Sequence, residues 1–217
     1  MTVTMARPDV AAAAAEPRRR RYGVAMLVFA NLVGVLVGLA VGTLVLRPAT
    51  PGDDSPEAGF ARDMSLHHGQ AVEMGMIAAA RATLPEVRSL GEDIALTQQS
   101  QIGMMQHWLR DWDLLPTGSQ PPMAWMEGGE QMVTDGRMPG MATPEQMAAL
   151  RAAEGLEVDR LFLELMITHH LGGIHMVDAV LAASDHPEVE YLAGGMKATQ
   201  EKELTVLRDL LERVEQR

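Results

Sequence analysis

Residues 60–74 read FARDMSLHHGQAVEM and residues 162–176 read FLELMITHHLGGIHM, so the chain carries one pattern twice. The offset of 102 residues continues downstream, where the triplet Pro-Glu-Val recurs at 85–87 and 187–189, and Gln98 matches Gln200. An internal repeat of this length predicts a fold built from two similar halves. We therefore expect the protein to use both copies of the pattern, facing each other.

Each copy is predicted to be helical, because it lies in apolar periodic sequence without helix breakers. At about 100° per residue, one face of such a helix carries a thioether, an imidazole, a small residue and a second thioether within an arc of roughly 80°. These stripes are Met64, His67, Ala71 and Met74 in the first copy, and Met166, His169, Gly173 and Met176 in the second. The other edge of each stripe holds His68 or His170, whereas Glu73 and His175 point to roughly the opposite side.

The stripe combines groups that suit a soft transition metal. Imidazole binds several transition metals, and thioether sulfur favours Cu(I) and similar ions over Mg, Ca or Mn. A single methionine or histidine on such a face is more often a core residue, but two equivalent histidine pairs flanked by methionine favour metal binding. The predicted ligands of Cu(I) or Ag(I) are His67, His68, Met64, Met74, His169, His170, Met166 and Met176, with His175 as a weaker candidate. Binding should weaken as pH falls through the histidine range, because a ligating imidazole must be neutral.

The N-terminal part of the chain predicts a membrane segment. Residues 23–46 carry no charge and follow the basic block at residues 18–21. A helix of this length spans a bilayer, and the preceding basic block predicts a cytoplasmic N-terminus and an exported C-terminal part. We expect a cytoplasmic tail at residues 1–22 and a single-pass signal anchor at residues 23–46. A signal peptide cleaved after residues 40–42 is the alternative.

The composition excludes several classes of function. Residues 47–217 hold 13 basic and 27 acidic residues, and this net negative charge argues against nucleic-acid binding. The charge suits attraction of cations, or solubility alone. Because the chain has no cysteine, disulfides, thiolate zinc sites and iron–sulfur clusters are excluded. We find no catalytic constellation and do not expect an enzyme, and the sequence names no protein partner.

Helix start signals predict four long helices at residues 56–217, after a linker at residues 47–55. Caps followed by proline begin helices at Pro56 and Pro144, and short turns precede Pro85 and Pro187. The predicted ends are about Ala82, Trp112, Ala183 and Val214, with a break near Gly155 in the third helix. Two hairpins joined by one long crossover predict a four-helix bundle with the two stripes in its core.

The crossover, residues 116–142, is rich in proline and glycine and contains five methionines. We expect it to be mostly irregular, with one short helix near residues 123–133. Its length is typical of a functional loop. It is either a metal-collecting loop, since thioethers bind Cu(I) and Ag(I), or a Met-rich lid that packs on the end of the bundle.

Several of these motifs resemble those of the domain-of-unknown-function-305 family. They are Met64-x-x-His67-His68 with Glu73-Met74, residues 141–147 (MATPEQM), Asp159-Arg160-x-Phe162-Leu163, and Met166-x-x-His169-His170 with His175-Met176. The resemblance covers roughly residues 55–215 and implies a ferritin-like helical bundle. Some members of the family are associated with copper or silver in the bacterial envelope, with histidine and methionine as ligands. The change from Glu73 to His175 implies a difference between the two halves. By this resemblance a ligand role is implied for Met64, His67, His68, Met74, Met166, His169, His170 and Met176.

Three alternatives compete with copper binding. A ferritin-type di-iron site needs Glu-x-x-His on two helices, and this sequence contains no such motif. A haem with His/Met ligation would have to be non-covalent, since no Cys-x-x-Cys-His is present. A structural or partner-binding bundle without metal needs no special chemistry at the histidines.

Overall fold

The computed structural model describes residues 20–45 and 50–217. These residues form six α-helices and one 3₁₀ turn, and the described chain contains an isolated β-bridge but no strand. The all-α class is therefore confirmed. The two described stretches belong to separate compact units, and we call residues 50–217 the helical domain.

The N-terminal unit contributes one long apolar helix, α1 (Arg20–Val45). Its segment Gly23–Gly42 is long enough and apolar enough to cross a membrane. Helix α5 (Leu156–Ala183) meets the same criterion, but half of that segment is buried inside the helical domain, as in the core helix of a soluble protein. Most of the predicted tail at residues 1–22 lies outside the described residues, as do residues 46–49.

The helical domain consists of two helical hairpins. The first pairs α2 (Pro56–Arg81) with α3 (Pro85–Asp111), and the second pairs α5 with α6 (Pro187–Glu215). Helix α2 also packs on α5, which joins the hairpins. The ends of these helices lie within one residue of their predicted positions.

The predicted third helix is two helices, α4 (Pro144–Ala152) and α5. The break lies at Gly155, whose φ of 59° belongs to the left-handed region that glycine adopts without a steric penalty. Helix α4 begins with a capping box, in which Thr143 and Gln146 exchange hydrogen bonds of 2.8 and 3.2 Å. Strong local signals therefore decide both ends of this short helix.

The start of each hairpin contacts the turn of the other hairpin. The buried carboxylate of Asp159 accepts hydrogen bonds from the backbone N–H groups of Thr83 (2.7 Å) and Leu84 (2.8 Å). Glu57, which lies 102 residues before Asp159, is the equivalent residue of the first hairpin and lies close to Ser184 in the second turn. These contacts satisfy polar groups at the turns and fix the antiparallel arrangement of α2 and α5.

Apolar side chains form two separate clusters along the four long helices. The first cluster lies around the turn of the first hairpin and contains Leu84, Val87, Phe162 and Leu207. The second lies around the turn of the second hairpin and contains Phe60, Trp108, Val180 and Val189. Each long helix contributes to both clusters, one toward each end. Between the two clusters, the middle of each of the four helices carries polar side chains.

The crossover is mostly irregular, as expected, but the predicted short helix shrinks to the 3₁₀ turn Glu130–Met132. Positive φ angles at Met123 (68°) and Gly128 (69°) interrupt a longer helix. Met123 is buried in the second cluster, and its N–H donates to Asp63 across 2.7 Å. This part of the crossover therefore packs as core.

Candidate metal centre

Eight polar side chains fill the middle of the helical domain, between the two apolar clusters. Each long helix supplies two of them, and we call the set the polar layer: His67 and His68 on α2, Gln98 and Gln101 on α3, His169 and His170 on α5, and Gln200 and Glu203 on α6. The four histidines are at most 1% exposed. Buried polar groups are costly unless they are paired, so their partners decide what the layer can do.

Two histidines face the interface between the hairpins. The rings of His67 and His169 lie with their centroids 3.8 Å apart and their planes inclined by 36°. The Nε2 of His169 donates to the backbone carbonyl of His67 across 2.9 Å. The Nε2 of His67 donates to the carbonyl of Pro139 in the crossover across 3.0 Å. The first histidine of each pair thus joins the two halves of the domain.

The second histidine of each pair faces the partner helix in its own hairpin. His68 Nε2 lies 2.8 Å from Gln101 Oε1, and His170 Nε2 lies 2.6 Å from Glu203 Oε2. Both contacts join residues 33 positions apart, and the two acceptors are themselves offset by 102 residues. The side chains of adjacent residues on a helix point in directions about 100° apart around the axis. One His-His pair therefore contacts both neighbouring helices.

These hydrogen bonds fix the tautomers of the histidines. A carbonyl or carboxylate oxygen can only accept, so Nε2 carries the proton in each ring. In a neutral imidazole the remaining nitrogen, Nδ1, then holds a lone pair. Metal-binding histidines show the same arrangement, in which one nitrogen donates to an oxygen and the other faces the ion.

The polar layer also contains buried atoms without a hydrogen-bond partner. In the described part of the chain they comprise the Nδ1 atoms of three layer histidines (His67, His68 and His170), both amide atoms of Gln98, and Gln200 Oε1, together with His186 Nδ1 outside the layer. Most buried polar atoms in proteins are paired, and exceptions call for an explanation. Three imidazole lone pairs in one layer are a set of donors suited to a transition metal.

Burial keeps the imidazoles of His67, His68 and His169 neutral. Removal from water lowers the pKa of His67 to about 4 and that of His68 to about 3, from an ordinary value of 6.5. The pKa of His169 also lies well below its ordinary value, mainly through burial and further through the neighbouring His67. These three rings are therefore in the protonation state that metal binding requires throughout the neutral pH range.

A strap from the crossover, residues 138–142, covers the polar layer where α2 and α5 meet. Gln70 holds it through both amide atoms, which exchange hydrogen bonds of 2.6 and 3.0 Å with the backbone of Ala142. Gly172 on α5 permits the close approach, since a Cβ there would lie 2.1 Å from the carbonyl oxygen of Pro139. The strap therefore supplies the acceptor for His67 and separates that ring from solvent.

The four stripe methionines are buried, but they lie on both sides of the polar layer. Met64 and Met176 belong to the second cluster, and Met74 and Met166 to the first. At a rise of 1.5 Å per residue, Met64 and Met166 lie about 4.5 Å along the axis from the histidine of their own stripe, and the other two about 10 Å. Among the four stripe methionines, Met64 and Met166 therefore lie closest to the histidines along the helix axis.

His175 lies apart from the other predicted ligands, on the exposed side of α5. Its Nε2 is 3.3 Å from the Sδ of Met132. Glu73, the corresponding residue of the first copy, pairs instead with Arg151 of α4 at 2.5 Å. The sequence-based view that positions 73 and 175 face away from the stripe agrees with both contacts.

In the described residues, no three histidine, aspartate or glutamate side chains converge as a ready ligand group. The structure thus brings the four histidines into one layer without drawing their Nδ1 atoms around a common point. Sequence reasoning missed Pro139, Gln101 and Glu203 as partners. The signal for the helical partners was present, because Gln98 and Gln200 repeat at buried positions, and Gln101 and Glu203 follow them by three positions on the same side of each helix.

Comparisons with known proteins agree on one family. The family model described as "Domain of unknown function (DUF305)" matches residues 57–211. A DUF305 crystal structure from Streptomyces coelicolor is 44% identical with a TM-score of 0.69, and covers 75% of this chain and 96% of its own. A DUF305 fragment from Deinococcus radiodurans is 34% identical with a TM-score of 0.62, and covers 77% and 99%.

CopM in its Cu(I)-bound form is a more distant structural neighbour. It is 22% identical, with a TM-score of 0.58, and the match covers 73% of this chain and 96% of CopM. At this identity the likeness shows the fold alone. None of the curated proteins matches the chain.

Proposed function

The chain belongs to the DUF305 family, and we propose that this member is a membrane-anchored, extracytoplasmic protein that binds Cu(I) and Ag(I) for copper handling or resistance. The observation that carries the proposal is the polar layer, in which neutral, oriented imidazoles present unpartnered Nδ1 atoms. CopM, which shares the fold, is known in Cu(I)-bound, Cu(II)-bound and Ag-bound forms, and this supports the choice of ion.

The donors in the layer fit a soft ion. Imidazole nitrogen and thioether sulfur are the groups that suit Cu(I), whereas Mg, Ca and Mn prefer oxygen. His67, His68 and His170 would supply nitrogen through Nδ1, and Met64 or Met166 would supply sulfur. His169 would hold the ring of His67 in place through their tilted ring contact at a centroid distance of 3.8 Å.

We also infer that the four long helices form the ferritin-like four-helix bundle, with the polar layer as its central level. The hairpins α2–α3 and α5–α6 and their contact through α2 and α5 support this arrangement. In such bundles, metal sites are built from side chains on facing helices. The four histidines lie on α2 and α5, the two helices that join the hairpins.

The anchor in this proposal is α1, with the N-terminus in the cytoplasm and the helical domain outside. The apolar segment Gly23–Gly42 and the basic block before it support this topology. The Streptomyces coelicolor relative is described as a candidate secreted protein, which supports export of the domain. The net negative charge of residues 47–217 would favour the approach of cations.

A second candidate function is a structural or partner-binding role without metal. The observation that favours it is that every layer histidine already has a protein partner for Nε2. In that case the polar layer would serve to fix the register of the four helices, a role known for buried polar residues in helical assemblies. The histidines would then be needed for stability and not for an ion.

Element analysis of the full chain, purified in detergent from copper-supplemented cells, separates the two candidates. Copper that remains with the protein and is lost when the layer histidines are replaced supports the proposal. Absence of any metal supports the structural role. An absorption spectrum of the same sample tests the haem alternative, which requires a Soret band.

A further inference from the structure

The contact between His175 and Met132 places two soft donor atoms side by side on the protein surface. His175 Nε2 and Met132 Sδ are 3.3 Å apart, and both residues are exposed. Met132 ends the 3₁₀ turn Glu130–Met132 and is 39% exposed. The pair joins the second copy of the repeated motif to the Met-rich crossover, away from the polar layer.

As a hydrogen bond this contact is weak, because thioether sulfur is a poor acceptor. As a ligand pair it is well matched, since imidazole and thioether both suit Cu(I). For bonds of about 2.0 Å to nitrogen and 2.3 Å to sulfur, the lengths found at zinc, a separation of 3.3 Å corresponds to an angle of roughly 100° at the ion. An ion can therefore sit between these two atoms after only a small adjustment.

The acidic residue that follows His175 on α5 is already paired. Asp178, one turn further along α5, is held by Lys197 at 2.6 Å. At the corresponding position of the first copy, Glu73 forms an ion pair with Arg151, which is a contact of a different kind. The soft pair is thus specific to the second half of the chain and would discriminate against magnesium and calcium.

We propose that His175 and Met132 form a second site, open to solvent, that binds one Cu(I) or Ag(I) ion. It extends the proposed function but does not depend on the polar layer, because its donors are separate. Being exposed, it binds ions that the strap keeps from the buried histidines. It also gives the crossover methionine Met132 a role that core packing does not explain.

The test uses the full chain in detergent micelles, with ¹³C-labelled methionine methyl groups and Ag(I) as a probe that does not change oxidation state. The Met132 methyl resonance should shift on addition of Ag(I), and His175→Ala should abolish that shift. In a competition titration with a chromophoric chelator, His175→Ala and Met132→Leu should each bind about one Cu(I) less than the parent. Leucine keeps the shape of methionine but lacks sulfur.

His107→Ala is the matched control, since His107 is also exposed and contacts Asp111 on its own helix. It should bind as many ions as the parent. The proposal is overturned if Met132→Leu retains the full number of bound ions, or if the Met132 methyl does not respond to Ag(I). The double variant His67→Gln/His169→Gln should lose Cu(I) binding at the polar layer, whereas its Met132 methyl should still respond to Ag(I). This combination would show that the two sites are separate. A lost Met132 response in that variant would contradict their independence.

Discussion

The imidazole of His170 donates its Nε2 proton to the carboxylate of Glu203 across 2.6 Å, between α5 and α6. The equivalent contact in the first hairpin joins His68 to the neutral amide of Gln101 across 2.8 Å. The two halves of the polar layer therefore share one geometry but differ by one charge. This difference allows the contribution of the charge to be separated from that of the hydrogen bond.

Replacing Glu203 by glutamine should reproduce the neutral contact of the first hairpin. We expect the free energy of unfolding to fall by less than about 1 kcal/mol, because an amide oxygen still accepts from His170. Glu203→Leu leaves a buried N–H without an acceptor and should cost about 1–3 kcal/mol. Urea unfolding of the two variants measures the difference. Equal losses would show that the hydrogen bond to His170 contributes little.

Stability should decrease as the pH falls below about 6.5. The folded protein keeps His67 and His68 neutral, with pKa values of about 4 and 3, whereas the unfolded chain protonates them near 6.5. The unfolded state then binds more protons, so the free energy of unfolding drops with falling pH. At pH 5 the loss should be roughly 2 kcal/mol for each such histidine.

Urea unfolding at pH 7 and pH 5 tests this dependence, and His68→Gln should remove the share due to His68. If the free energy of unfolding changes equally with pH in the parent and in the variant, His68 does not contribute to the dependence.

The same pKa values change the sequence-based expectation for metal binding. The Cu(I) affinity of the polar layer should stay nearly constant between pH 7 and pH 6 and fall only at lower pH, because His67 and His68 are already neutral.

Gly172→Ala should displace the strap from the polar layer. The new Cβ would lie 2.1 Å from the carbonyl oxygen of Pro139, and this oxygen belongs to backbone that has to move. We expect a loss of about 1–3 kcal/mol in the free energy of unfolding and faster hydrogen exchange in the strap. Gly194→Ala on α6 is the control, since a Cβ there meets nothing within 4 Å. Similar behaviour of the two variants would mean that the strap is not held by this contact.

Protease added to intact spheroplasts should digest the helical domain. The basic block at residues 18–21 precedes the apolar segment Gly23–Gly42, which predicts a cytoplasmic N-terminus and an exported domain. Immunoblotting with tags at either end reports which part is accessible. Lysed spheroplasts serve as the control for protease activity. Full protection of the domain in intact spheroplasts would refute this topology.

The sequence predicted the long helices well, because proline and capping residues mark their starts and apolar periodicity marks their cores. It located the four histidines on facing helices for the same reason. It did not predict that the stripe methionines divide between two apolar clusters, since a helical wheel shows direction around the axis but not distance along it. The sequence also did not predict the strap or the hydrogen-bond acceptor Pro139, because the contacts of irregular segments depend on how the helices assemble.

The crossover illustrates the same limit. Its methionines suggested either a lid or a metal-collecting loop, and composition cannot choose between them. Met123 is buried in the second cluster, whereas Met132 is exposed beside His175. Met123 therefore suits the lid, and Met132 suits the metal-collecting loop. Only the position of each residue in the structure distinguishes the two.

The most direct test of the central claim is a Cu(I) competition titration of the full chain and of His67→Gln/His169→Gln. Glutamine can keep an N–H donor near the position of Nε2 but has no counterpart of the Nδ1 lone pair, so hydrogen bonds are preserved while nitrogen ligation is lost. His107→Ala/His186→Ala is the control, because neither residue belongs to the polar layer. The account predicts that the layer variant loses affinity at least about tenfold, or about 1.4 kcal/mol, relative to the control. Equal affinity of the two double variants would contradict it and would leave the polar layer as a structural element.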